Sequence, residues 1–203
     1  LLRCIVVSGS RIQNDLLEKC RLLNLKIFLS YGMTETCSSI CGFWPFDFPE
    51  KKESVGRPFN GVSIDVQDKQ LIIKSDTIMK CYVNGKNTEG TISTSDLGEL
   101  SDGYVYLNGR ADNLIISGGE NIYSVQVEEA ICKHEAVLET AVFGIPDDEW
   151  GESVKAYVVL KPDMHASEDD IINTAKKHLA SYQKPKSVKF IDELPKAPTG
   201  KIL

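Results

Sequence analysis

Five short stretches carry the residue types from which a reactive site is built. Tyr31-Gly32-Met33-Thr34-Glu35 sets an aromatic ring, a flexible glycine, a hydroxyl and a carboxylate directly after an apolar run. A ring offers a stacking face, a glycine permits close backbone approach, a hydroxyl can bond a phosphate oxygen, and a carboxylate is a hard ligand for Mg²⁺. The same stretch taken alone is also an ordinary surface turn. Thr94-Ser95-Asp96-Leu97-Gly98 puts Asp96 in an expected turn between β segments, where its carboxylate can accept both hydroxyls of a ribose or close a plain Asx turn.

The other three lie further on. Gly109-Arg110 supplies a permanently charged fork, suited to ribose or phosphate oxygens or to a salt bridge at a domain junction. Ile115-Ile116-Ser117-Gly118-Gly119-Glu120-Asn121-Ile122-Tyr123 runs as a strand into two glycines, which let a backbone lie against a ligand or simply turn a hairpin. Lys201 follows Pro198-Thr199-Gly200 on a Pro/Gly loop able to swing a compact positive charge onto a phosphate or carboxylate, unless it is only a solvated lysine.

Other residue types carry less. Cys4, Cys20, Cys37, Cys41, Cys81 and Cys132 form no C-x-x-C pair and have no histidine at metal-ligand spacing, so they are expected as reduced thiols of a cytoplasmic protein. Cys37 and Cys41 are spaced as if one helical turn apart and are expected as buried small side chains. His134, His165 and His178 have no Ser or Cys elbow beside them and read as surface or capping residues.

These stretches need elements to hold them. With 203 residues, 42% hydrophobic and 26% charged, the chain can bury a core as one domain or two small ones. Its 29 acidic residues outnumber 23 basic ones without a Lys/Arg block, so no nucleic-acid footprint is expected, and no apolar run is long enough to span a bilayer. Cys4–Val7 and Lys26–Leu29 read as strands around an amphipathic helix over Ile12–Leu23, half of an α/β unit.

Short β segments follow at Ser63–Val66, Leu71–Lys74 and Tyr104–Leu107. Past Gly109-Arg110-Ala111-Asp112 strands and helices alternate. Ser124 is expected to cap a helix through Val127 and Ile131, with strands at Thr140–Ile145, Val154–Leu160 and Ser187–Ile191. Ser167-Glu168-Asp169-Asp170 should cap a further helix that ends near Tyr182. The expected class is α/β and α+β, with a boundary between Arg110 and Ala111.

Taken in order, the five stretches resemble the sequence blocks of the adenylate-forming superfamily, which includes acyl-CoA synthetases, firefly luciferase and peptide-synthetase adenylation domains. Pro146–Glu152 and Leu179–Pro185 fit the same pattern, so the resemblance covers essentially the whole chain. It implies that 1–110 is the C-terminal part of a large AMP-binding domain with a β-rich subdomain, and 111–203 a small mobile α+β domain hinged at Asp112. Tyr31 would stack on adenine, with Gly32 beside it; Thr34 would contact the AMP phosphate, Glu35 hold Mg²⁺, Asp96 bind the ribose hydroxyls, and Arg110 reach ribose or phosphate.

Ser8, Gly9 and Ser10 would flank the acyl and adenine pocket. Lys201 would bridge the attacking carboxylate and ATP in a first half-reaction; Gly118, Gly119 and Glu120 would shape the coenzyme A tunnel in a second. Within the superfamily the blocks look most like those of the o-succinylbenzoate–CoA ligases of menaquinone biosynthesis. Medium- and long-chain fatty acyl-CoA ligases, peptide-synthetase adenylation domains and a non-catalytic nucleotide-binding module stay open as alternatives.

The implied substrates are a small carboxylate, ATP and coenzyme A, and a homodimer is compatible with a sequence that leaves assembly open. The superfamily's phosphate loop should precede Leu1 and the family continues past Leu203, so the chain is expected as a piece of a longer enzyme, inactive alone. Asn113 stands where an acidic residue is common, Ser124 where proline is common, and the stretch 86–90 is short.

Overall fold

The computed structural model describes residues 2–83, 85, 87–198 and 202. They fall into two compact units, Leu1–Leu107 and Asn108–Leu203, each described by itself.

The first unit opens with β1 (Ile5–Val7), α1 (Asn14–Leu22) and β2 (Ile27–Met33). β1 and β2 pair in parallel, Ile5 opposite Ile27 and Val7 opposite Leu29, so α1 is the crossover that two parallel strands require. β3 (Ser38–Phe43) and β4 (Arg57–Pro58) extend this sheet in antiparallel fashion, in the order β1-β2-β3-β4. A second sheet, β5 (Val62–Gln67), β6 (Gln70–Ser75), β7 (Thr91–Ser101) and β8 (Tyr104–Arg110), is built of hairpins in chain order. Left-handed pairs turn two of them, Asp68 with Lys69 and Asp102 with Gly103. Ile40, Leu71, Ile73 and Val105 share one apolar cluster with the Tyr31 ring, so residues of both sheets meet in it.

The second unit is a five-stranded sheet with two helices. β9 (Leu114–Ser117) and β10 (Glu120–Tyr123) form a hairpin, followed by α2 (Ser124–Ile131), β11 (Val137–Asp147), β12 (Gly151–Leu160), α3 (Glu168–Lys176) and β13 (Ser187–Phe190). Strand order is β10-β9-β12-β11, with β13 parallel to β12. Period-two alternation sends Val154, Ala156 and Val158 into a core shared with Val127, Ile131, Ile171 and Ala175 of the helices. Each fully buried Ile or Val there contributes roughly 1.5–3 kcal/mol. On the opposite face Tyr157 meets Phe143 edge-on at 5.0 Å, with Lys155 and Lys189 over the Tyr157 ring.

Several sequence expectations need correction. Tyr31, Gly32 and Met33 belong to strand β2, and Asp96 lies inside β7 rather than in a turn. Ser124 is the buried first residue of α2 and does not cap it; Tyr123 holds the cap position, and its side chain makes no capping bond to the helix. α3 ends at Lys176, short of Tyr182, because Gln183 Oε1 accepts the amide of Ala180 and closes a turn where the helix would continue. Cys37 is exposed and left-handed while Cys41 is buried on β3, so the two are not helical neighbours. The Ser167 cap is present: its hydroxyl accepts the Asp170 amide at 3.2 Å, and the Asp170 carboxylate accepts the Ser167 amide at 2.9 Å.

Candidate active site

Because β1 and β2 run in parallel, the carboxyl end of β1 at Val7 and that of β2, which runs on beside β3 to Met33, point to one edge of the sheet. That edge receives the exposed Ser8-Gly9-Ser10 loop and the start of the Tyr31 stretch, and carboxyl edges of parallel strands are where α/β sheets gather ligands. Gly32 is required by packing. A β-carbon there would lie 2.1 Å from the carbonyl oxygen of Ser38, where the β2–β3 register shifts.

The chain then turns. Thr34–Thr36 form one turn of 3₁₀ helix, and Cys37, at φ 58°, returns the chain into β3. Buried Thr36 holds this turn by accepting the Met33 amide at 3.0 Å and donating to the Ser38 carbonyl at 2.6 Å. Thr34 is left exposed at the tip, where its hydroxyl can meet an anion. Glu35 is half-buried; its Oε1 accepts the Tyr82 hydroxyl at 2.8 Å, and its carbonyl accepts the Met79 amide at 2.8 Å.

Asp96 joins the Tyr31 stretch through one bond. The phenol of Tyr31 donates to Asp96 Oδ2 at 2.6 Å, with Tyr31 8% and Asp96 9% exposed. Burial pushes the Tyr31 pKa far up, and the adjacent carboxylate adds to the shift, so the phenol stays a donor. Thr94 fixes the backbone below: its Oγ1 accepts the Asp96 amide at 3.1 Å and donates to the Leu71 carbonyl at 3.0 Å. Gly98 lets β8 approach, since a β-carbon there would lie 2.2 Å from the Tyr106 carbonyl oxygen.

In the second unit Arg110 donates to Asp112 Oδ2 at 2.9 Å, both exposed, and Asp112 sits in the single 3₁₀ turn Ala111–Asn113 between β8 and β9. Gly118 and Gly119, both at positive φ, make the two-residue turn of the β9–β10 hairpin, with Ser117 opposite Glu120. Gly118 donates its amide to the Trp150 carbonyl at 2.8 Å, and the Trp150 ring lies against it.

Glu152 Oε2 accepts the Ile116 amide at 2.7 Å, and Gly144, diagonal to it on β11, leaves room for that carboxylate. The Lys186 ammonium, 3.0 Å from Asp147 Oδ2, together with the Trp150 amide holds the Asp147 carboxyl below its usual range. Lys201 lies outside the described residues.

Within one unit, then, Tyr31 and Asp96 are bonded, and Gly32, Thr34 and Glu35 continue from Tyr31 along the same strand and turn. Arg110, Asp112, Gly118, Gly119 and Glu120 are grouped in the other unit. Tyr82, Trp150 and Glu152 had no assigned part in the sequence reading. Trp150 and Glu152 fall inside the Pro146–Glu152 block that carried the resemblance, whereas nothing local distinguishes Tyr82 from any exposed tyrosine.

Comparison with known proteins matches residues 1–83 to the AMP-binding enzyme family and residues 126–201 to the AMP-binding enzyme C-terminal domain. The 2-succinylbenzoate–CoA ligase of Lactococcus lactis subsp. lactis (strain IL1403) is 38% identical over 209 residues, which cover 100% of this chain and 46% of that protein. Its counterpart from Bacillus subtilis (strain 168) is 36% identical over 219 residues, covering 100% and 45%. The solved structure of o-succinylbenzoate CoA synthetase from Bacillus subtilis with its acyl-adenylate intermediate superposes with a TM-score of 0.90 at 35% identity, over 99% of this chain and 45% of that one. The same synthetase with ATP and magnesium ion gives 0.88. The chain spans under half the length of the curated relatives it matches.

Proposed function

We propose, from the premise that this chain belongs to the AMP-binding enzyme family, that it is the C-terminal part of a ligase that adenylates a carboxylate and passes the acyl group to coenzyme A. The observation that carries this reading is the buried Tyr31–Asp96 bond, which joins the strand leading to Thr34 and Glu35 to the carboxylate suited to a ribose. The names of the similar proteins make o-succinylbenzoate the proposed acid.

In the first half-reaction the carboxylate oxygen attacks the α-phosphorus of ATP, and pyrophosphate leaves with the electron pair of the broken P–O bond. Asp96 accepts ribose hydroxyls, the Tyr31 ring lies on the adenine side, and exposed Thr34 donates to the phosphate whose charge grows in the transition state. Arg110, in the second unit, is a further cation for ribose or phosphate oxygens. Ser8, Gly9 and Ser10, on the edge shared with Tyr31, border the acyl side.

Magnesium fits the donor set. Among the described residues no group of three or more His, Cys, Asp or Glu could hold a metal by itself, and Glu35 offers one half-buried carboxylate beside Thr34. Mg²⁺ commonly takes one or two carboxylates and completes its shell with water and substrate phosphates. When bound there it neutralises phosphate charge.

Lys201 is proposed to bridge the attacking carboxylate and the phosphates. For the second half-reaction a thiolate of coenzyme A attacks the acyl carbonyl, and AMP leaves. We assign Asp112 as the hinge that exchanges Lys201 for the Gly118-Gly119-Glu120 hairpin between the two steps, since each step needs different groups around one centre.

The test is ATP–pyrophosphate exchange by the full-length enzyme. Exchange dependent on o-succinylbenzoate is expected; exchange with a fatty acid and none with that acid overturns the substrate. Lys201→Ala should abolish exchange while leaving thioester formation from supplied acyl-AMP, and equal loss of both contradicts the two-step exchange of groups.

A further inference from the structure

Tyr31 enters the proposed reaction through its ring, yet its hydroxyl also has a defined partner. The ring is packed among Ile40, Leu71, Ile73 and Val105, which leaves it little room to move. Its hydroxyl donates to Asp96 Oδ2 at 2.6 Å, in the short range of charge-assisted O–H···O⁻ bonds. The two residues come from different sheets, β2 of the first and β7 of the second. The Asp96 backbone is held separately, through its amide to Thr94 Oγ1 and from there to Leu71. A carboxylate whose main chain is fixed still rotates about its side-chain bonds, and the bond from the phenol restricts that rotation.

We infer that Tyr31 is a positioning residue for Asp96: its hydroxyl fixes the carboxylate in the orientation that reads the ribose, so preference for a ribonucleotide over a 2′-deoxyribonucleotide depends on Tyr31. The inference rests on the reading of Asp96 as the ribose acceptor. It follows from the general rule that a hydrogen-bonding site discriminates only as well as its acceptor is held in place, because a mobile carboxylate gives up rotational freedom on binding. The phenol suits the task, since burial and the neighbouring carboxylate keep it protonated across the working pH range.

The experiment uses the full-length enzyme and calorimetric titration with AMP and 2′-deoxy-AMP. Tyr31→Phe keeps the ring and removes the oxygen. It should weaken AMP binding about tenfold, the size of one charge-assisted hydrogen bond, and narrow the preference for AMP by a similar factor. Km for ATP in pyrophosphate exchange should rise in parallel.

A Tyr31→Phe protein that keeps the wild-type preference overturns the inference, as does one that weakens both nucleotides equally, the mark of a purely structural role. Asp96→Asn separates this from the underlying reading: unchanged preference in that variant removes the ribose role of Asp96 itself. Loss in Asp96→Asn with none in Tyr31→Phe removes only the role of Tyr31. A measurement on the unaltered enzyme completes the test, because a nucleotide-bound crystal structure should retain the Tyr31–Asp96 bond. Release of Asp96 by the phenol on binding sinks the proposal.

Discussion

The indole of Trp150 lies against Gly118 so closely that a β-carbon on the glycine would sit 2.8 Å from its Cε3 atom. Gly119, the other residue of the same turn, has nothing within 4 Å of that position. Both glycines have positive φ, 60° and 82°, so any side chain there meets left-handed strain of about 1–2 kcal/mol. Gly118→Ala must in addition push the indole aside. It should lower stability in urea more than Gly119→Ala does, and equal losses would mean that the indole exerts no constraint on the turn.

A second glycine is constrained by backbone. At Gly32 the Ser38 oxygen lies 2.1 Å and the Ser39 Cα 2.6 Å from the position of a β-carbon, and neither can rotate away. Gly32→Ala is expected to destabilise by about 3 kcal/mol, in the range of the more severe single substitutions. Because Thr34 and Glu35 follow directly, nucleotide affinity should fall as well. A wild-type urea midpoint in this variant would show that the β2–β3 register tolerates a shift.

Glu128 gives a pH signature. Its carboxylate accepts the Val142 amide at 2.9 Å, but burial dominates and raises its pKa above the ordinary value of 4.5, with Glu129 adding to the shift. From the ordinary value upward, as far as the raised one, the folded state binds more protons than the unfolded one, so stability falls as pH rises through that window. Glu128→Gln cannot titrate and should flatten this part of the stability profile. Identical profiles for both proteins, from urea midpoints measured between pH 4 and pH 8, would contradict the assignment.

The cysteines should separate by alkylation. Cys4, Cys37 and Cys81 are exposed, whereas burial pushes the Cys41 thiol up to about 12 and the Cys132 thiol to about 11. Since the thiolate is the reactive species, iodoacetamide at pH 8 should label the first three in the native protein. Cys41 should react only after denaturation, as read by peptide mass spectrometry; prompt labelling of Cys41 would mean that the sheet opens readily around it.

The β1–α1–β2 unit was legible because apolar runs and a helical period are local signals, and so was the Gly118-Gly119 hairpin. The placement of Asp96 was not. An Asp-Leu-Gly sequence ordinarily turns, and here it continues a strand because Gly98 lies under the Tyr106 carbonyl, a neighbour from another strand. Tyr31 likewise looked like the start of a loop, since its partner Asp96 is 65 residues away in sequence. The end of α3 depended on Gln183 competing for the amide of Ala180, which helical periodicity does not register. The candidate residues of the site could thus be named from residue type, while the bonds joining them required the fold.

Gly144 and Glu152 show how contacts of this kind order mutational history. A β-carbon on Gly144 would lie 2.9 Å from the Glu152 carboxylate, the same group that accepts the Ile116 amide. The carboxylate can swing away, but only by releasing that amide, so a methyl group on β11 acts on β9 without touching it. Gly144→Ala and Glu152→Ala therefore produce one defect by two routes, and once either is present the other adds little. Any lineage that gives up the glutamate loosens the constraint on the glycine, and the two positions are expected to drift as a coupled pair.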